Sequence, residues 1–118
     1  SDFVSVHLKL SERTHRLVGR AEIGLMKADA CLINTSRGPI VDTDVLVEAL
    51  EEGRIAGAAL DVYDEEPLPG DSPLRQVPGM ILTPHVGYVT RESYEVFYPE
   101  VVEAIRAWLD GAPVRMLS

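Results

Sequence analysis

The chain has 118 residues, a length typical of one compact domain and too short for two. Lys and Arg number 11 against 19 Asp and Glu, and the resulting formal charge of −8 argues against a nucleic-acid partner or an anionic membrane surface. Hydrophobic residues make up 46% of the chain and charged residues 25%, a balance that can bury a core and is not typical of disorder.

The single cysteine, Cys31, excludes an internal disulfide and favours a reducing compartment. No apolar run approaches the roughly 20 residues of a membrane-spanning helix, no signal-peptide pattern precedes the first apolar segment, and no Cys or His spacing indicates a metal site. We therefore predict a cytoplasmic protein without a membrane partner. Because that segment begins at Phe3 with no initiator Met, we expect the chain to be a piece of a longer protein.

The first third of the chain predicts a strand, a short helix and a second strand. Residues 3–8 are mostly β-branched, aromatic or aliphatic, which favours a buried strand, and polar residues 11–16 predict a loop. Residues 21–27 combine apolar side chains with good helix formers and predict a short helix. A second apolar run predicts a strand that ends at Asn34.

The middle of the chain contains the clearest helix signal. Asp42 or Thr43 can cap a helix whose apolar side chains recur on one face, and Gly53 is placed to end it. Residues 55–63 are almost all apolar and predict a third buried strand.

The last third predicts a long loop, a fourth strand and a final helix. Residues 64–79 are rich in Pro, Gly, Asp and Glu, and residues 80–82 form a short apolar run. From Thr90 to Gly111 apolar residues recur at helical spacing, although Pro99 is expected to kink or split this helix.

Strands that are apolar throughout and alternate with helices predict an α/β fold, with a parallel sheet covered on both faces by helices. The carboxyl ends of parallel strands meet at one edge of the sheet, where ligands bind in such folds. The functional residues are therefore expected immediately after each strand.

Polar residues do follow the predicted strands. His7 comes at the end of the first strand, Arg37 after the second, Asp61 and then Glu66 after the third, and His85 after the fourth. Neighbouring strands lie about 4.8 Å apart, so that side chains from three of them can meet around one small substrate. Arg, Glu and His together offer a bidentate cation for a carboxylate, a proton donor, and an acid that keeps the donor charged.

Three ordered segments resemble the D-isomer-specific 2-hydroxyacid dehydrogenases, which interconvert 2-keto acids and D-2-hydroxy acids with NAD or NADP. Residues 26–42 read MKADACLINTSRGPIVD and resemble the family's signature around its substrate-binding arginine. Residues 59–63 read ALDVY and lead into EPL at 66–68, like the family's glutamate segment, and TPHVG at 83–87 resembles its histidine segment. Three motifs in the right order are far more specific than a single short one.

The resemblance implies a catalytic role for three residues. Arg37 would bind the substrate carboxylate and help to polarise the 2-keto oxygen, and His85 would protonate that oxygen as a hydride reaches the adjacent carbon. Glu66, which precedes Pro67, would pair with His85, since a carboxylate neighbour favours imidazolium.

The resemblance also implies cofactor contacts. Asp61 matches the family residue that contacts the nicotinamide carboxamide, and Thr35 and Ser36 match contacts near the same ring. His7 and Gly87 would line the same pocket. Taken alone, Asp61 could instead be a buried acid that accepts hydrogen bonds from backbone amides.

The sequence contains no Gly-x-Gly-x-x-Gly turn to hold a pyrophosphate. The resemblance therefore covers only the later half of a Rossmann-like NAD(P)-binding domain, predicted at residues 1–88, followed by residues 89–118 as a helix that returns to a substrate domain. We expect this chain alone to be inactive, and its apolar last helix predicts a homo-oligomer. The alternative function is a nucleotide-sensing or protein-interaction module of the same fold.

Overall fold

The computed structural model describes residues 1–116 and contains one sheet of four parallel strands in the order β1-β2-β3-β4. The strands are β1 at Phe3–Val6, β2 at Cys31–Asn34, β3 at Gly57–Leu60 and β4 at Met80–Leu82. The predicted α/β fold with a parallel sheet is confirmed.

Two strands are shorter than the apolar runs that predicted them. The strand predicted at residues 3–8 ends at Val6 because its partner on β2, Asn34, is the last residue of that strand. The strand predicted at residues 55–63 ends at Leu60, which pairs with the last residue of β4, Leu82. The pairing partner, and not the hydrophobic pattern, therefore sets the end of each strand.

The helices of this part of the chain are α1 at Arg20–Ile23 and α2 at Thr43–Glu51, with 3₁₀ turns at Gly38–Ile40 and Pro73–Gln76. The side chain of Asp42 accepts a hydrogen bond from the N–H of Val45 and caps α2, one of the two capping residues predicted. Helix α1 is a single turn that stops at Gly24, so the helix predicted at residues 21–27 is too long.

Within Ser1–Val86, α1 and α2 cover one face of the sheet, where the sequence led us to expect helices on both. Val6, Leu32, Ala58 and Leu60 point to the buried face, where they join a core with α1 and α2. Phe3 on the opposite face is 69% exposed, and Ile81 is 66% exposed. The strands follow one another across the sheet in chain order, so right-handed connections place every crossover on the same face.

The chain divides into two compact units, the first at Ser1–Val86 and the second beginning at Gly87. The second unit contains α3 at Arg91–Leu109, which the side chain of Thr90 caps by accepting from the N–H of Ser93. No residue of α3 is buried. The domain boundary predicted after residue 88 stays a prediction.

Pro99 was expected to kink or split the last helix. It lies inside α3 and does not split it. Proline lacks an N–H, so that it removes the one hydrogen bond that would run to the carbonyl of Glu95, which is an exposed residue. Within residues 1–116, no helix combines the length and the apolar character needed to cross a bilayer.

Candidate active site

Three of the predicted site residues follow neighbouring strands at the carboxyl edge of the sheet. Arg37 lies three residues beyond β2, Glu66 lies in the loop after β3, and His85 lies three residues beyond β4. Because β2, β3 and β4 are adjacent and parallel, all three loops leave the sheet at the same edge.

Glu66 and His85 form a direct pair. Nδ1 of His85 lies 2.6 Å from Oε2 of Glu66, and the other carboxylate oxygen accepts the backbone N–H of Tyr63 at 2.9 Å. These contacts and the nearby positive charge of Arg37 lower the pKa of Glu66, and the hydrogen bond to His85 is the largest cause. Glu66 is therefore held as a carboxylate with both oxygens engaged.

The backbone at His85 is unusual, since its φ of 56° lies in the left-handed region that side-chain-bearing residues rarely adopt. Thr83, two residues before His85, makes two hydrogen bonds to the chain at and just after the end of β3. Its N–H donates to the carbonyl of Leu60 at 3.0 Å, and its carbonyl accepts from the hydroxyl of Tyr63 at 2.7 Å. The end of β3 thus fixes the chain that leads into His85.

The loop that carries Arg37 is held by a buried asparagine at the end of β2. Asn34 is 1% exposed, its Nδ2 donates to the carbonyl of Arg37 at 2.9 Å, and its Oδ1 accepts the N–H of Ser36 at 3.0 Å. The hydroxyl of Ser36 donates to the carbonyl of Val6 at 2.6 Å, which fastens the loop to the end of β1.

Gly38 brings the arginine loop against the loop that carries Glu66. A Cβ at position 38 would lie 2.1 Å from the carbonyl carbon of Tyr63 and 2.6 Å from the nitrogen of Asp64. Only glycine allows the two backbones to approach this closely. The contact places Arg37 beside the segment that anchors Glu66.

The site residues line two separate hollows. Glu66 and His85 line one of about 560 Å³ together with Tyr63 and Arg75, whereas Arg37 lines one of about 480 Å³. The second hollow contains three predicted cofactor residues, His7, Thr35 and Ser36. The guanidinium of Arg37 is bonded to the carbonyl of Ser36 at 2.6 Å. The structure therefore joins Glu66 to His85 directly, and the charge of Arg37 acts on Glu66.

The predicted cofactor residues differ in their surroundings. His7 is exposed, and its Nε2 lies 2.8 Å from the hydroxyl of Ser5. Asp61 is buried and accepts hydrogen bonds from the hydroxyl of Thr83 and from the N–H of Val86, as the alternative interpretation of a buried acid anticipated. Gly87 is the first residue of the second unit.

The residues at this edge fit one end of a dinucleotide. His7, Thr35 and Ser36 line the same hollow as Arg37, and imidazole nitrogens and hydroxyls are groups that can bond an amide or a sugar hydroxyl. The sequence holds no glycine-rich turn for a pyrophosphate, so that the fit concerns the nicotinamide end alone. Residues 1–116 contain no cluster of three or more His, Cys, Asp or Glu suited to a metal ion.

Two residues that frame the site were not anticipated from the sequence. Tyr63 anchors Glu66 with its N–H and Thr83 with its hydroxyl, and Asn34 fixes the arginine loop. A polar side chain at the end of an apolar strand is the signal that could have indicated both. The partners of Asn34 lie two and three residues along the chain, whereas the bond from Tyr63 to Thr83 depends on the pairing of β3 with β4.

A parallel sheet with a paired Glu and His, and an Arg on the adjacent loop, at its carboxyl edge is the architecture of a Rossmann-like nucleotide-binding domain. Residues 1–87 match the family model described as the D-isomer specific 2-hydroxyacid dehydrogenase, NAD binding domain. The chain belongs to this family, and the resemblance found in its motifs is confirmed.

Known relatives support the same assignment. The chain is 50% identical over 111 residues to glyoxylate/hydroxypyruvate reductase B of Pectobacterium carotovorum, an alignment that covers 94% of this chain and 35% of that protein. The TT0316 protein of Thermus thermophilus shares the structure with a TM-score of 0.83 and 45% identity, over 97% of this chain and 38% of that one. The structure of D-lactate dehydrogenase with NAD⁺ from Lactobacillus jensenii matches with a TM-score of 0.82 and 30% sequence identity. That match covers 100% of this chain and 39% of the dehydrogenase chain. The chain thus spans about a third of its curated relative's length.

Proposed function

We propose that this chain is the catalytic half of the NAD(P)-binding domain of a reductase that interconverts 2-keto acids and D-2-hydroxy acids. The observation that carries the proposal is the hydrogen bond between Nδ1 of His85 and Glu66, at the sheet edge that also bears Arg37. The names of the relatives, glyoxylate/hydroxypyruvate reductase and D-lactate dehydrogenase, support small 2-keto acids as the substrate class.

Each of the three residues has a distinct role in this proposal. Arg37 binds the substrate carboxylate, since a guanidinium offers two parallel N–H donors to two carboxylate oxygens. His85 donates a proton from Nε2 to the keto oxygen, while its Nδ1 is held by Glu66. The bound nicotinamide supplies the hydride. In the oxidative direction His85 accepts the proton of the hydroxyl group.

The cofactor contacts are proposed at the same edge. Thr35 and Ser36 lie on the loop fixed by Asn34, and His7 lines the same hollow. Asp61 and Gly87 complete the proposed set by their motif positions. NAD and NADP both remain compatible with these residues, because the selective residues of the family follow the glycine-rich turn that this sequence lacks.

We also propose that the 118 residues alone do not turn over substrate. The pyrophosphate needs backbone N–H groups at a glycine-rich helix start, and this sequence does not supply that motif. Residues 1–88 would form part of the nucleotide domain and residues 89–118 a helix that meets a substrate domain. The homo-oligomer and the cytoplasmic location also stay predictions.

A chimaera tests the proposed function. The 111 matching residues of the Pectobacterium reductase are replaced by the corresponding residues of this chain, and reduction of glyoxylate and hydroxypyruvate is followed with NADH and NADPH. We expect turnover, and a loss of about 10²–10⁴-fold in kcat/KM for His85→Ala. Arg37→Ala should act mainly through substrate binding and raise KM strongly.

The matched control is Arg13→Ala, which removes the same charge from an exposed position in the loop before α1. Its kcat/KM is expected to equal that of the parent chimaera. A folded chimaera that turns over neither keto acid contradicts the proposal, as does full activity in the His85→Ala variant.

A further inference from the structure

Asp61 is hydrogen-bonded to residues on both sides of His85 in the chain. The residue is 5% exposed, and its Oδ1 accepts hydrogen bonds from the hydroxyl of Thr83 and, at 2.9 Å, from the N–H of Val86. Thr83 lies two residues before His85, and Val86 lies directly after it. One buried oxygen atom thus joins the two ends of the turn that presents the imidazole.

The backbone conformation of this turn has to be stabilised by contacts with other residues. His85 has a φ of 56°, a conformation that is sterically unfavourable for a residue with a Cβ and persists only where surrounding contacts impose it. A carboxylate is a strong acceptor for the N–H and O–H groups that it binds, and these bonds are stronger away from water. The buried position of Asp61 therefore suits it to hold the turn.

The partner of the imidazole is anchored to the same short segment. Glu66 is held by the N–H of Tyr63, two residues after Asp61. Tyr63 thus fixes Glu66, and Asp61 fixes the turn that carries His85. If either hold is lost, the 2.6 Å contact between Nδ1 of His85 and Oε2 of Glu66 loses its geometric basis.

We propose that Asp61 is a positioning residue that keeps the His85 turn in the left-handed conformation in which the imidazole meets Glu66. The inference deepens the proposed function and rests on it for its catalytic meaning. The positioning itself requires no cofactor and is distinct from the nicotinamide contact proposed for the same residue.

The carboxyl group of Glu66 reports on this positioning. Its pKa is lowered by His85, by the N–H of Tyr63 and by the charge of Arg37, and Asp61 is not among these causes. A neighbouring negative charge raises the pKa of a carboxyl group, so removing the charge of Asp61 would by itself lower the pKa of Glu66. A rise in that pKa after substitution of Asp61 must therefore come through the geometry of the pair.

The experiment is a pH titration of the Glu66 side-chain carboxyl carbon by NMR in the 118-residue chain, assigned with Glu66→Gln. In Asp61→Ala we expect the pKa of Glu66 to rise toward its ordinary range. In Asp61→Asn, which keeps an oxygen acceptor without the charge, we expect the pKa to stay lowered. The control Asp71→Ala removes an exposed carboxylate and should leave Glu66 unchanged.

Three results overturn the inference. A folded Asp61→Ala chain with an unchanged Glu66 pKa shows that the turn holds without Asp61, and equal rises in the Ala and Asn variants show that charge and not the acceptor matters. Should Asp61→Ala fail to fold by circular dichroism, Thr83→Val removes only the hydroxyl donor to Asp61. That variant should raise the Glu66 pKa partway, and an unchanged value contradicts the inference.

This readout also separates the inference from the proposed function. An inactive chimaera combined with the expected Glu66 titrations would refute the dehydrogenase proposal and leave the positioning role of Asp61 intact. An active chimaera combined with an unchanged Glu66 pKa in the Asp61 variants would support the dehydrogenase proposal and refute the positioning role of Asp61.

Discussion

The imidazole of His85 and the carboxylate of Glu66 meet at 2.6 Å although they are 19 positions apart in the chain. The two side chains reach each other because β3 and β4 are adjacent parallel strands whose carboxyl ends share one edge. The pair is partly open to solvent, with side-chain exposures of 38% for His85 and 33% for Glu66. The pair is thus open to solvent while the hydrogen bond to Glu66 fixes the orientation of the imidazole ring.

The lowered pKa of Glu66 makes the stability of the fold depend on acidity. A carboxyl whose pKa is lower in the folded than in the unfolded state stabilises the fold above its unfolded pKa of about 4.3, and this contribution disappears as the pH falls through the folded value. We expect Glu66→Gln to reduce the free energy of unfolding by less than about 1 kcal/mol at pH 5–6, because the pair is partly exposed. The difference from the original chain should shrink as the pH falls below about 4.3 and disappear once the pH lies below the folded pKa of Glu66.

Urea unfolding at several pH values measures this difference. The control Glu65→Gln removes the same charge from the exposed neighbouring residue. A loss of equal size and equal pH dependence in that control would assign the effect to general charge and not to the pair with His85.

Gly38 is expected to be intolerant of any side chain. A Cβ there would lie 2.1 Å from the carbonyl carbon and 2.3 Å from the carbonyl oxygen of Tyr63, and both are backbone atoms that cannot move alone. We expect Gly38→Ala to destabilise the chain by about 1–3 kcal/mol or more, with a lower urea midpoint. Gly70→Ala is the control, since an added Cβ at that position meets no atom within 4 Å. Equal midpoints for the two variants would contradict the close approach.

The sequence supported the fold class well because continuous apolar runs are specific to strands buried in a parallel sheet. It was less informative about strand ends. Residues 61–63 are as buried as β3 itself, so hydrophobicity continues where hydrogen bonding to β4 has stopped. Nor did the sequence show which face of the sheet α1 and α2 cover, since periodicity does not encode the order of strands across the sheet.

The site shows a similar division. The rule that ligands gather at the carboxyl edge of parallel strands was enough to bring Glu66 and His85 together. It could not show that Arg37 lines a different hollow from that pair, because the position of a loop at this edge does not fix the direction of its side chains. Nor could it reveal Asn34, which bonds backbone groups of the loop that follows it, or Tyr63, which bonds the carbonyl of Thr83 beyond the next strand.

Asn34 provides a test of how the arginine loop is held. Replacement by Ala would leave the N–H of Ser36 and the carbonyl of Arg37 without their side-chain partner at a position that is 1% exposed. We expect Asn34→Ala to cost about 1–3 kcal/mol and to speed amide hydrogen exchange at Ser36. Thr35→Ala, at an exposed position in the same loop, should change stability by no more than about 0.5 kcal/mol. Unchanged exchange at Ser36 in Asn34→Ala would rule out this role.

Tyr63 provides a test of how the stability of the fold depends on pH in alkaline solution. Its hydroxyl donates to the carbonyls of Leu60 and Thr83, at 3.0 and 2.7 Å, and burial together with the charge of Asp61 raises the pKa of this phenol. A group whose pKa is raised by folding stabilises the fold below its unfolded pKa of about 10, and that contribution is lost as the pH rises through the folded value. Tyr63→Phe removes both the hydroxyl bonds and this pH dependence.

We therefore expect Tyr63→Phe to lower stability by about 0.5–1.5 kcal/mol at pH 8 and to flatten the decline of stability above about pH 10. The N–H of residue 63 is unaffected by the substitution and remains the donor to Glu66, so that the loss isolates the hydroxyl. Tyr98→Phe, at an exposed position on α3, is the control and should decline in alkali as the original chain does. An equally steep alkaline decline in Tyr63→Phe would mean that another group dominates it, and the hydroxyl bridge from β3 to the His85 loop would then not be a stabilising contact of this fold.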